Sequence, residues 1–212
     1  LKPMPFANML VQRRAGRVTA YPAGVNQVPG HGQFPEKYAK FAYDTRFGFC
    51  ASRSREVIEQ AAPDSMLALV IDRNVFVRRA SESWSIENGA VITKWSPFPG
   101  IEVTTTITPT AAGHHRHHEV DSAFACEAYD TGFAVPNFAP GYDEAVESHS
   151  AEAHCDTLRC KVSGAVGEGT IIKCDPNTSL YFANVRLPAV KYQITKGHTV
   201  IDTEITDAAQ NG

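Results

Sequence analysis

Apolar residues along this chain come in short runs rich in Val, Ile, Thr and aromatics, and they seldom repeat with a helical period. Runs of that length and make-up fit β-strands. They fall at 18–21, 66–71, 75–77, 90–93 and 101–107, and then at 157–162, 170–173, 179–185 and 199–206. The run 101–107 alternates apolar and polar residues at its ends, as a strand with one wet face does. Turn chemistry separates the runs. Asp72-Arg73-Asn74 and Glu87-Asn88-Gly89 read as hairpin turns, and Pro97-Phe98-Pro99-Gly100 and Asp175-Pro176-Asn177 punctuate the chain through proline. Only 53–62 has the makings of a short helix, with Pro63 to close it. The stretches 21–34 and 136–153 read as long loops, the second made acidic by Asp143, Glu144, Glu147 and Glu152. Many short strands punctuated by Gly, Pro and Asn predict an all-β fold, an antiparallel β-sandwich.

The length of 212 residues suits one sandwich domain spanning 1–212. At that size roughly 70% of the unfolded chain's surface can be buried, so neither a disulfide nor a metal is needed to hold the fold. The chain carries 20 basic and 23 acidic residues, for a formal charge of −3. Its basic residues cluster only in short spots such as Arg13-Arg14 and Arg78-Arg79, which argues against nucleic acid as a partner. No apolar stretch approaches the roughly 18 residues of a membrane-spanning helix, so no membrane partner is expected. Cysteines stand at 50, 126, 155, 160 and 174. Their odd number, with no secretory signal at the start, points to reduced thiols and a cytoplasmic location; a single bridge within 155–174 is the alternative. The opening Leu1-Lys2-Pro3-Met4-Pro5 lacks an initiator Met, and the chain reads as a piece of something longer.

Candidate chemistry centres on His114-His115-Arg116-His117-His118, which precedes a strand-like run at 120–128. If this stretch is extended, His115 and His117 share one face while His114, Arg116 and His118 share the other. Imidazole and guanidinium can hydrogen-bond sugar hydroxyls and carboxylates, so all five are substrate-binding candidates. The plain alternative is a polar strand edge with one His buried and satisfied. Two imidazoles at i and i+2 can also ligate a metal, but the third ligand, whether His149, His154 or a Cys, cannot be placed from sequence, and neither metal nor cofactor is expected. A second candidate region is 37–49, where alternation puts Phe41, Tyr43, Thr45, Phe47 and Phe49 on one face. Tyr43 and Arg46 are its substrate-binding candidates. No phosphate loop, nucleophile elbow or zinc-protease motif is present.

Lys37-Tyr38-Ala39-Lys40-Phe41-Ala42-Tyr43, followed by Arg46-Phe47-Gly48-Phe49, resembles a signature of the microbial domain-of-unknown-function family 2264. Asp64 to Leu69, Trp95-Ser96-Pro97-Phe98-Pro99-Gly100, the segment from Pro109 through His118, and Leu187-Pro188 with Lys196-Gly197 are similar to the same family in the same order. The resemblance implies the C-terminal β-rich half of a protein whose N-terminal half is an α/α toroid in the style of heparinase-like lyases. It further implies activity on uronic-acid sugars, by a glycoside hydrolase or a polysaccharide lyase. It transfers no catalytic residue to this chain.

Three functions remain open on this reading. The chain supports a catalytic toroid of the same protein and lends side chains to a cleft for an acidic oligosaccharide, with no turnover of its own. Alternatively it is a freestanding carbohydrate-binding or structural module, with Trp84, Trp95 and Phe98 as its contact aromatics. The third is a metal-dependent β-barrel enzyme organised by the histidines.

Overall fold

The computed structural model describes residues 1–4, 9–14, 17–23, 43–44, 48–49, 67–78, 81–133, 135–156, 158–173 and 185–206. Among these residues every regular element is a strand, and every pairing is antiparallel. The fold is all-β, as the pattern of short apolar runs predicts.

A five-stranded sheet comes first, in the order β1 (Lys2–Met4), β2 (Met9–Arg14), β3 (Arg17–Pro22), β4 (Tyr43–Asp44) and β5 (Gly48–Phe49). Two larger sheets form the sandwich. One contains β6 (Leu67–Ile71), β7 (Asn74–Val77), β12 (Cys126–Thr131), β13 (Val135–Pro136), β17 (Glu168–Lys173) and β18 (Val185–Ile194). Its path runs β13-β18-β12-β6-β7, with β17 also paired to β18. The other has eight strands: β8 (Ser83–Glu87), β9 (Ala90–Phe98), β10 (Ile101–Pro109), β11 (Gly113–Ser122), β14 (Asp143–Glu147), β15 (Ser150–Cys155), β16 (Leu158–Gly164) and β19 (Gly197–Thr206). Its order is β14-β15-β16-β19-β11-β10-β9-β8.

The main core lies between these two sheets. Trp95, Ile101, Val103, Val120, Cys160, Val162, Ile201 and Ile205 of the larger sheet meet Leu67, Leu69, Ala128, Val190, Tyr192 and Ile194 of the smaller. The five-stranded sheet packs beside the larger one through Leu10, Tyr21, Ala23 and Val91. Gln12 Nε2 donates to the Thr110 carbonyl and Ser81 Oγ to that of Ala23, which ties this side packing to the sandwich. Cys126, Cys155 and Cys160 are buried free thiols, so the alternative of a Cys155–Cys160 bridge is not realised.

Two hairpins close as their turn residues predict. Asp72 and Arg73 both have positive φ, as do Asn88 and Gly89, which is the twist that two-residue hairpin loops require. Three features depart from the sequence reading. The stretch 136–153 is not a loop, because β14 and most of β15 lie within it. Their small Ala and Ser residues carry little strand propensity, and pairing with β16 decides the matter. The stretch 120–128 is not one strand, because β11 ends at Ser122 and β12 begins at Cys126. Finally, β18 carries Pro188 in its interior, where proline argues against a central strand. Its missing N–H falls at the break between the β12 ladder, which ends at Thr131 and Ala189, and the β13 ladder, which begins at Arg186, and there the Pro188 carbonyl still accepts from Gly132 N. The helix read at 53–62 and the turn at 175–177 lie outside the described residues.

Gly113 opens β11 against a tight constraint, since a Cβ there would sit 1.7 Å from the Ile205 carbonyl oxygen. Gly197 differs: its φ is +102°, and no atom of the described residues lies within 4 Å of a Cβ added there. Gly113→Ala should therefore destabilise by about 3 kcal/mol or more, since backbone must move. Gly197→Ala should cost only backbone strain, about 1–2 kcal/mol. Urea unfolding of both variants checks the order, and equal losses would contradict it.

Candidate functional site

The histidine-rich stretch forms the first half of β11, with β10 on one side and β19 on the other. Strand alternation splits it into two sets with different surroundings.

The inward set is His114, Arg116 and His118, each no more than 2% exposed. Arg116 and His118 meet Asp130, which β12 presents from the opposite sheet and which is fully buried. Arg116 Nη1 donates to Asp130 Oδ1 at 2.6 Å and to the Thr131 carbonyl at 2.9 Å. His118 Nε2 lies 3.1 Å from Asp130 Oδ2, and its Nδ1 lies 2.8 Å from Thr105 Oγ1. Trp95 Nε1 donates to that same hydroxyl at 3.2 Å. An indole N–H can only donate, so the simplest assignment runs one way: indole to hydroxyl, hydroxyl to His118 Nδ1, His118 Nε2–H to carboxylate. Burial opposes ionisation of Asp130. The charge of Arg116 and the hydrogen bonds from His118 and Thr203 outweigh it, and hold the carboxyl well below the usual carboxylate range. Tyr192 of β18 completes the crossing, with its hydroxyl 2.9 Å from Thr203 Oγ1 of β19 and its phenol pushed up by burial. His114 packs edge-on between Tyr21 and Phe133, with ring centroids 5.3 and 5.8 Å away.

The outward set is His115 and His117. Register places Asp202 of β19 directly opposite His117 and Glu204 opposite His115. A single oxygen, Asp202 Oδ1, lies 2.8 Å from His117 Nδ1 and 3.2 Å from His115 Nε2. The other ring nitrogen of His117 is 3.8 Å from Glu119 Oε1. All three side chains of the trio are between 37% and 47% exposed. Further along the same face, Glu102, Asp121 and His198 fall in one row across β10, β11 and β19, with His198 Nδ1 2.9 Å from Asp121 Oδ1. Lys94 pairs with Glu102 at 2.8 Å. This row borders an open groove of about 710 Å³ lined by Ser96–Glu102, Asp121–Ala123, Gly197 and His198.

A family model for the DUF2264 C-terminal domain matches residues 27–205. The chain belongs to this family. No curated protein matches it. Among solved structures, the domain superposes on the heparan sulfate lyase HepC from Pedobacter heparinus with a TM-score of 0.61 at 9% identity, over 97% of this chain and 36% of that one. A heparinase III gives a TM-score of 0.55 at 10% identity, over 97% of this chain and 35% of that one. A galactose mutarotase-like protein from Lactobacillus casei ATCC 334 gives 0.54 at 9% identity, over 94% of this chain and 100% of that one. At these identities the likeness is one of fold. The chain spans about a third of the lyase structures it matches.

Within this DUF2264 domain the seven residues singled out by sequence do not form one site. His114, Arg116 and His118 face the core, where no ligand reaches them without opening the sandwich. Their role here is packing and charge pairing, a reason that sequence could give for one buried His but not for all three. His115 and His117 stay accessible and close together. Tyr43 lies in β4, in a different sheet, and Arg46 is outside the described residues. Of the aromatics considered for a binding face, Trp95 is buried, Trp84 is 40% exposed, and Phe98 is partly buried with its ring edge-on to Phe76 and Phe124. His154 sits on β15, three strands from β11 and so at least about 14 Å away at the usual strand spacing. The residues that sequence missed are Asp130 and Asp202. Asp202 was visible only as one polar position in the final strand, without its register.

The inward cluster yields a stability prediction. Arg116→Met should cost about 3–5 kcal/mol, because it strands a buried carboxylate. Asp130 has a folded pKa below its unfolded value of about 3.9. Its contribution is therefore complete above about pH 4 and is lost as pH falls towards the folded value. Asp130→Asn should be less stable at pH 7, and that deficit should shrink on acidification. Urea midpoints between pH 2.5 and 7 test this, and a deficit that is constant with pH would refute it.

Proposed function

We propose that this DUF2264 domain is the β-sandwich partner of a catalytic α/α toroid in a carbohydrate-active protein handling acidic sugars, as a glycoside hydrolase or polysaccharide lyase. The observation carrying this reading is the match to the heparan sulfate lyase, which takes in nearly all of this chain but about a third of that enzyme. The remainder of such a protein supplies the catalytic groups, and the sandwich buttresses them. On this reading the outward histidines, His115 and His117, line the side of the cleft that the sandwich provides. Their rings then exchange Asp202 for a carboxylate of an acidic oligosaccharide. The three buried free thiols fit a reducing, cytoplasmic setting.

The test replaces His115 and His117 together by Asn in the full-length protein. Exposed positions should change stability by no more than about 1 kcal/mol. Affinity for an acidic oligosaccharide, read by calorimetry, should fall at the same time. Unchanged affinity with a large loss of stability means that the pair is structural, and the cleft reading fails.

The galactose mutarotase-like match favours a second reading, a freestanding binding module, because this fold accounts for the whole of that protein. The groove beside Phe98, Glu102 and Asp121 is then the contact surface. Its carboxylates disfavour an acidic ligand and suit a neutral, hydroxyl-rich one. A neutral oligosaccharide that binds the chain alone, with a change in Trp fluorescence, supports this reading over the first.

A further inference from the structure

The outward trio of β11 and β19 has a use independent of either sugar reading. We propose that His115, His117 and Asp202 form a binding site for a divalent transition-metal ion, with Zn²⁺ as its natural fit.

The strand supplies the first argument. His115 and His117 are two apart in β11, so both rings leave the same face of the sheet, and register puts Asp202 across from one and diagonal to the other. Two imidazoles from one strand and a third ligand from its neighbour give three donors on one side, leaving a fourth position open to water. Distances supply the second. Two nitrogens already converge on one oxygen, at 2.8 and 3.2 Å. A tetrahedral ion with bonds of about 2.1 Å holds its ligand atoms about 3.4 Å apart. One N···O edge is close to that spacing and the other is shorter by roughly half an ångström.

As the side chains stand, no group of three or more His, Cys, Asp and Glu among the described residues could hold a metal ion. Hydrogen bonding explains the tighter arrangement, since a proton between His117 and Asp202 draws these groups closer than an ion holds them. A metal must displace that proton, and metal sites generally release protons on loading. The rings are exposed and can turn at little cost.

The surroundings supply the third argument. The other nitrogen of His117 faces Glu119, the carboxylate that commonly orients a ligating imidazole and strengthens it as a donor. Glu204 lies opposite His115, and Asp121 continues the row. This concentration of carboxylates favours a cation at the trio. Imidazole nitrogen with carboxylate oxygen is a borderline donor set that suits Zn²⁺ better than Ca²⁺ or Mg²⁺. Thiols play no part, since the three described cysteines are buried.

The experiment uses the chain without an affinity tag, stripped with a chelator and titrated with Zn²⁺ in a calorimeter. One equivalent should bind. His115→Asn, His117→Asn and Asp202→Asn should each weaken binding at least tenfold, and Glu119→Gln should weaken it by about tenfold. His198→Asn, which removes a histidine on the same face but outside the trio, should leave affinity unchanged. Co²⁺ in place of Zn²⁺ should give the visible absorption of a tetrahedral ion, lost in Asp202→Asn. Thermal melts of the metal-free variants control for folding. If a variant does melt early, Co²⁺ absorption of the folded wild type decides alone. No binding at about 100 µM Zn²⁺, far above the range of structural zinc sites, overturns the proposal. Binding that survives Asp202→Asn, or falls equally with His198→Asn, overturns it too.

Discussion

Asp130 carries its charge where water does not reach, at the interface between the two sheets. An isolated carboxylate there is prohibitively costly, so the sandwich closes only when Arg116 and His118 arrive with their hydrogen bonds made. That condition fixes the register of β11 against β12 across the core, in addition to the in-sheet pairing of each. It also recruits Thr105 and Trp95 on one side and Thr203 with Tyr192 on the other. Apolar packing alone tolerates small slips between two sheets; a requirement for two partners at Asp130 does not. The contribution is to uniqueness more than to net stability, since well-packed apolar replacements of buried pairs can be as stable.

The inward demand also determines the outward face. Once His114, Arg116 and His118 are committed to the core, His115 and His117 must emerge on the opposite side, because strand period leaves no other choice. The five histidine-region residues are therefore two devices sharing one strand. One locks the sheets, and the other is exposed to whatever covers or binds the large sheet. Reading the run as a single polar cluster merges groups whose environments have nothing in common.

Much of this was legible. Hairpin turns at Asp72-Arg73 and Asn88-Gly89, the all-β class and the division of the histidines by parity all follow from local chemistry. The resemblance carried by the Trp95–Gly100 motif and its companions agrees with the family match over 27–205. What escaped was non-local or masked by unpromising composition. Which face of β11 turns inward depends on Asp130, and nothing near 114–118 announces it. Asp202 stands 85 positions from His117, so its partnership is a fact of register and not of spacing. Strands β14 and β15 hid behind Ala, Ser and acidic residues, and β18 behind Pro188.

The charge of the large sheet's outer face bears on every reading of function. Glu102, Glu119, Asp121, Asp202 and Glu204 crowd β10, β11 and β19. With neutral imidazoles, the full positive charge that the described residues of these strands and β9 set on that face is Lys94, already paired with Glu102. Such a face repels a uronate unless its sign is changed locally. Protonation of the exposed imidazoles is one way to change it, and a bound cation at the trio is another, concentrating two charges in a single position. A basic surface from a neighbouring domain is the third. The first two serve a sandwich that touches acidic sugar, and the third serves one that only supports the domain that does. The histidines matter to the outcome because they can accept either a proton or a metal while leaving the strands unmoved.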